Sequence, residues 1–201
     1  MTDVDTTAVA PSKRGSQRRE AICAAVFELL GEVGYDRMTM DAVAARAHAS
    51  KATIYRSWPD KPELVVEALI NRFSTTPEPA DTGSLRGDLL ALANTACEIT
   101  NSPDGDVITG VMTAATMNST LATAMHQCMF ESKRKTHDTI VGRAVARGEL
   151  ESAEAAGLLH EVVHAMLLTR KLWSDEALDD KFAEHLVDDI LIPLLTRCRC
   201  R

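Results

Sequence analysis

The sequence predicts an all-α fold, and three observations carry that prediction. Aromatic residues make up only 4% of the 201, while alanine, leucine and methionine are plentiful, a mix that favours helices over strands. Apolar residues recur at three and four positions through most of the chain, the spacing of one helical face. No stretch shows strand-like alternation, and no repeat of 20 to 50 residues is visible.

The first dozen residues carry few apolar side chains and read as a flexible tail, drawn here as 1–14. A helix follows from Ser16, with Ile22, Val26, Leu29, Leu30 and Val33 on one face and Gly34 as its stop. Thr39 can cap a short helix carrying Val43 and Ala44 that ends near Ala47, and His48-Ala49 form a tight turn. Ser50 caps another short helix, 50–57, whose inward side chains are Ile54 and Trp58. Asp60-Lys-Pro-Glu63 is a strong helix start: Asp60 caps, Pro62 lies in the first turn and Glu63 completes a capping box. Leu64, Val65, Ala68, Leu69 and Phe73 give that helix its apolar face. TTPEPADTG, residues 75–83, is the clearest break in the chain. Helices then follow at about 84–100, 106–117, 119–147, 152–173 and 175–197, with Ser84, Ser119, Ser152 and Ser174 as N-caps.

Charge divides the chain in the same way. The net charge is −7, yet Lys13 to Arg72 hold 10 Lys/Arg against 8 Asp/Glu, while Phe73 onward holds 12 against 19. A basic-leaning head on an acidic body suggests two jobs. No apolar run approaches the ~18 residues of a membrane span. The N-terminus is acidic before it is basic, the reverse of a secretory signal. A cytoplasmic protein with no membrane partner is expected. Five cysteines without regular spacing are no disulfide framework: Cys23, Cys97 and Cys128 fall on apolar faces, and Cys198 and Cys200 form a terminal CRC.

Two short helices joined by a tight turn make a helix-turn-helix, completed by the helix before them. In this geometry the second helix enters the major groove of DNA with its N-terminal residues at the base edges. With Ile54 and Trp58 inward, Lys51, Ala52, Tyr55 and Arg56 point outward. Lys and Arg suit guanine edges, and an alanine methyl suits a thymine methyl. Thr53 can reach a base or a phosphate, and Ser50 opens the helix. Thr39 and Lys61, at two other helix starts, can hold phosphates. Arg14, Arg18 and Arg19 can follow the backbone or the minor groove.

The stretch YDRMTMDAVAARAHASKATIYRSWPDKPELVVEAL resembles the DNA-binding domain of the TetR/AcrR family of bacterial transcriptional regulators. The matching positions are Thr39, Ala44 and Ala45, Thr53-Ile54-Tyr55, Trp58, Lys61 and Leu64, within residues 15 to 70. Trp58 stands where phenylalanine is commoner, and Ser57 where histidine is common. The resemblance implies a DNA-binding domain at 15–60 and a helical ligand-binding and dimerisation domain at 61–201. It implies a homodimer on double-stranded, near-palindromic operator DNA, released by a small-molecule effector, with no cofactor and no enzymatic activity.

In the second half, Leu158, Leu159, Val162, Val163, Ala165, Met166 and Leu167 make helix 152–173 apolar over a wide arc. Leu186, Val187, Ile190, Leu191, Leu194 and Leu195 do the same for 175–197. Such helices need more than one partner, so the expected dimer interface includes Leu159, Val163, Met166, Leu167, Leu186, Ile190 and Leu194, as a four-helix bundle between subunits. The effector pocket is then expected among the earlier helices. Its candidate lining is Cys97, Val111, Met112, Ala115, Thr116, Met125, His126, Met129 and Phe130, a Met-rich set suited to varied apolar ligands. The alternative is that these residues are plain core.

One motif points elsewhere. HEVVH, residues 160–164, matches the H-E-x-x-H spacing of zinc hydrolases. A third ligand is required, and no downstream H-x-x-G-x-x-H supplies one. A helical chain also offers no edge strand for a peptide substrate. Metal is therefore assigned no site. A metal- or thiol-responsive regulator using His160/His164 or Cys198/Cys200 stands as the alternative function, and a zinc hydrolase as a remote one.

Overall fold

A computed structural model describes residues 13–73, 78–127, 131–154, 156–174 and 176–197, and among them it contains helices and turns but no strand. Helix α1 (Lys13–Arg37) changes direction at Gly34, whose φ of 76° lies in the left-handed region. The glycine thus ends the straight part of the helix where the sequence places a stop. Helix α2 (Met40–Arg46) is capped by the Thr39 hydroxyl, which accepts from the Ala42 N–H. Helix α3 (Lys51–Ser57) is capped by Ser50, accepting from the Thr53 N–H. Helix α4 (Lys61–Phe73) follows Asp60, whose carboxylate accepts from the Glu63 N–H at 2.9 Å. All of these starts agree with the local capping chemistry.

The second half comprises α5 (Leu85–Asn101), α6 (Pro103–Ala115), α7 (Ser119–Met125), α8 (Glu131–Ala146) and α9 (Ala156–Trp173). Helix α10 (Asp180–His185) runs through a π-helical turn, Leu186–Leu191, into α11 (Ile192–Arg197). Ser84 caps α5 as expected. Four other starts differ from the sequence expectation, the first being α9, which begins at Ala156 and not at a cap on Ser152. The Asn118 side chain, not Ser119, accepts from the Leu121 N–H and opens α7. Ser102 caps α6, with Pro103 in its first turn, so this helix starts three residues earlier than expected. Ser174 accepts from the Glu176 N–H in a local turn, leaving Asp179 to cap α10. An aspartate also complements the positive end of the helix dipole, which a serine does not. The single helix expected at 119–147 is two helices, and residues 128–130 between them lie outside the described set.

Gly105 sits hard against backbone at the turn between α5 and α6. A Cβ there would sit 2.3 Å from the Ile99 carbonyl oxygen, so glycine lets α6 fold straight back from the end of α5.

Two apolar cores result. The first joins α1 to α4 with Val107 and Val111 of α6 and Leu121 and Met125 of α7. It takes in Leu64, Val65, Ala68 and Leu69 of α4, so the packing of the head runs past residue 60 into the segment the sequence reading gave to the body. The second joins α5, α8, α9, α10, the π-turn and α11. A polar knot ties the start of α5 to the end of α8. Asp88 accepts from the backbone N–H and the hydroxyl of Thr82, both at 2.7 Å, and from Arg147 at 3.0 Å.

Candidate DNA-reading face and effector cavity

Helix α3, the candidate reading helix, is short and amphipathic. Ile54 is fully buried and Trp58 nearly so, which fixes the rotation of α3. Lys51, Ala52, Arg56 and Ser57 are exposed, and Tyr55 shows half of its surface to solvent. Lys51 and Tyr55 lie one turn apart, as do Ala52 and Arg56. Thr53 is half-buried, its hydroxyl 2.9 Å from that of Ser50. Between α2 and α3, His48 adopts a φ of 48°. The tight turn is closed by the Ala49 N–H donating to the Ala44 carbonyl at 2.9 Å.

Several basic groups of the head already have partners. Lys51 donates to Asp41 of α2 at 2.6 Å. Lys61 lies 4.1 Å over the Tyr35 ring and donates to the Asp36 carbonyl at 3.4 Å, and burial pulls its pKa below the usual lysine range. Arg19, expected on the DNA backbone, is instead held by both carboxylate oxygens of Glu67 and sits 4.8 Å over the Trp58 ring. Arg18 is exposed.

The described cavity lies in the other half, between the ends of α4 and α7 and helices α5, α6, α8 and α9, with a volume of about 170 Å³. Of the candidate pocket residues, Met112 and Met125 line it. Cys97 and Val111 do not, being packed into the two cores, and Thr116 and His126 face solvent. Ala115 is half-buried against the first core, and Met129 and Phe130 lie outside the described residues. The sequence reading missed the polar side of the cavity. It is formed by His137 of α8 with His160 and His164 of α9, whose ring centroids are 5.2 Å and 4.2 Å apart in that order. HEVVH thus turns its histidines into the cavity and leaves Glu161 exposed. Among the described residues no group of three or more His, Cys, Asp or Glu is arranged to hold a metal ion. The buried thiols are equally unsuited to chemistry: burial pushes Cys23 and Cys97 up to about 11. Cys128, Cys198 and Cys200 lie outside the described residues.

The expected interface residues divide by burial. Leu159, Val163, Leu167 and Leu186 are spent inside the subunit's own core, while Met166, Ile190 and Leu194 are only partly covered. The same helices expose Leu158, Leu172 and Trp173, the last 82% accessible. Periodicity could not separate these faces, because both sides of α9 are apolar.

Helices α4 and α6 join the two halves. Phe73, the last residue of α4, lines the cavity and meets Phe27 of α1 edge-on, with ring centroids 6.2 Å apart and planes at 66°. Beside it Arg72 lies over the Phe27 ring and donates to Asp104 of α6 at 2.7 Å.

Comparison with known proteins agrees with this division. Residues 22–68 match the family model for bacterial regulatory proteins of the tetR family, and residues 79–190 match the tetracyclin repressor-like C-terminal domain. The DNA-binding transcriptional repressor TetR of Mycobacteroides abscessus is 38% identical over 183 residues, covering 90% of this chain and 96% of that protein. An uncharacterized HTH-type transcriptional regulator of Mycobacterium tuberculosis is 36% identical over 182 residues, 90% of each chain. The crystal structure of the TetR family transcription regulator SCO0332 superposes with a TM-score of 0.70 at 27% identity, covering 92% of this chain and all of that one. No helix among the described residues is long and apolar enough to cross a membrane. Matched along both halves, the chain belongs to the TetR family of DNA-binding transcriptional regulators and is not an enzyme.

Proposed function

We propose that this regulator is a cytoplasmic, homodimeric repressor that leaves its operator when a small, largely apolar molecule enters the cavity. Thr39, Ser50, Lys51, Ala52, Thr53, Tyr55, Arg56 and Lys61 form its DNA surface. Tyr55 and Arg56 lie at the centre of that surface, and Thr39 and Ser50 at helix starts facing the phosphates. The exposed Leu158, Leu172 and Trp173 support a partner subunit against α9. That the M. abscessus relative is named a repressor supports repression over activation.

The contact that carries the reading is Phe73 against Phe27. One aromatic ring belongs both to the cavity wall and to the helix leading into the reading head. A ligand that prefers one position of Phe73 biases the tilt of α4, and so the separation of two reading helices in a dimer.

The test is binding of the purified protein to its own upstream intergenic DNA at two salt concentrations, beside Tyr55→Ala. Tight binding that falls by roughly 10³-fold or more between 50 and 200 mM salt, and is lost in the variant, is the expected result. Failure to retain any DNA in a genome-wide pull-down overturns the reading.

A further inference from the structure

We propose that the effector is a small apolar acid: one carboxylic acid head on an aliphatic or aromatic body, with the head against His137, His160 and His164. The proposal rests on the reading of this cavity as the effector site.

Size sets the first limit. A closed apolar cavity of about 150 Å³ admits a single benzene ring, and this one measures about 170 Å³. The body of the ligand is therefore small, a single ring or a single alkyl chain. Leu92, Ile99, Ile108, Met112 and Leu168 surround it and offer no hydrogen bond beyond the backbone's.

Charge sets the second. Among the described residues lining the cavity there is no Asp, Glu, Lys or Arg. An ammonium ion would enter with no carboxylate to pair it, at a cost of several kcal/mol, on the order seen for unpaired buried charge. A phosphate would find no fixed cation among those residues. The hydroxyls of Thr100 and Thr109 donate to the carbonyls of Ala96 and Gly105, at 2.7 and 2.8 Å, so those two protons are committed to the backbone.

Besides the hydroxyls of Thr95 and Thr136, which are neutral, the three imidazoles supply the cavity's remaining polar groups and its only basic ones among the described lining residues. His137 and His160 are 2% and 4% exposed, and both line the cavity. His164 Nδ1 lies 3.1 Å from the His160 carbonyl oxygen, which can only accept, so Nδ1 carries the proton. Nε2 is then the basic nitrogen of the neutral ring. A carboxylic acid matches it in either proton arrangement. Its O–H can donate to Nε2, or the O–H bond can break and an Nε2–H bond form, leaving a carboxylate beside an imidazolium. No other reactant is needed. An alcohol offers the hydrogen bond without the charge pair.

Calorimetric titration of the full-length protein at neutral pH, without DNA, tests this with three probes of equal carbon number: octanoate, 1-octanol and octylamine. Octanoate is expected to bind at least tenfold tighter than the other two. His164→Leu is expected to lose at least tenfold in octanoate affinity and with it the preference for octanoate over octanol, while octanol loses much less and still binds, which also reports an intact cavity. His160→Gln gives an independent second reading. Failure of octanoate to bind, octanol or octylamine binding as tightly, or an undiminished octanoate preference in both variants overturns the proposal. With no DNA in the cell, that outcome is separate from any failure to bind an operator.

Discussion

Trp58 donates its indole N–H to a Glu67 carboxylate oxygen across 2.8 Å, and this bond fastens the end of the reading helix to α4. Glu67 also holds Arg19 of α1, so one carboxylate ties three helices together. Trp58 is buried, and its N–H needs an acceptor. Glu67→Ala is expected to destabilise the protein by about 2 kcal/mol, the cost of a buried donor left unmet. Glu67→Gln keeps an acceptor oxygen and is expected to cost under about 1 kcal/mol. Urea denaturation measures both, and equal losses would refute the role given to the indole bond.

Lys51 and Asp41 form an exposed ion pair at the edge of the reading surface. To meet a phosphate or a guanine edge, Lys51 must leave Asp41, whose charge repels the same phosphates. Asp41→Asn is therefore expected to raise affinity for operator and non-specific DNA alike, on the order of several-fold at low salt. Fluorescence anisotropy at two ionic strengths reads this. In a Lys51→Ala background most of the gain should vanish, and a full gain there would mean that the pair does not compete with DNA.

Phe27 touches Phe73 but does not line the cavity. Phe27→Leu should leave ligand and operator affinities measured separately near wild type. The factor by which ligand weakens operator binding should fall. Such coupling factors run from about 5 to 150, so a loss of most of that factor is readily seen in anisotropy with and without saturating ligand. Unchanged coupling would move the relay to the ion pair of Arg72 with Asp104, which joins α4 to α6.

Residues whose role is local were legible in the sequence. Thr39, Ser50, Asp60 and Ser84 cap their helices because a side-chain oxygen needs only the N–H three residues on. Ile54 and Trp58 were legible as inward because a seven-residue helix has room for one buried face. The cavity was not legible, because it depends on which side of α9 faces α8. His137 sits in ESKRKTHDT, a segment with no apolar period to mark it, and His160 and His164 carry a spacing that zinc and a cavity wall use equally well. Ser174 failed as a cap because Asp179, five residues on, answers the helix dipole better.

Asp88, buried at the start of α5, gives the stability a defined pH dependence. Burial alone would push its carboxyl up. The Thr82 N–H and hydroxyl and the Arg147 guanidinium outweigh burial, and the pKa lies below the ordinary aspartate value. As pH falls, the unfolded chain takes up this proton first. It then binds more protons than the folded state, and stability declines. The contribution is complete above about pH 4, the unfolded value, and is lost as pH drops through the lower, folded one. Asp88→Asn should be less stable than wild type at neutral pH, with the gap narrowing steadily below about pH 4. Urea midpoints of the two proteins between neutral pH and pH 3 measure the gap. A constant difference across that range would mean that Asp88 titrates alike in both states, and that its hydrogen bonds do not favour the charged form.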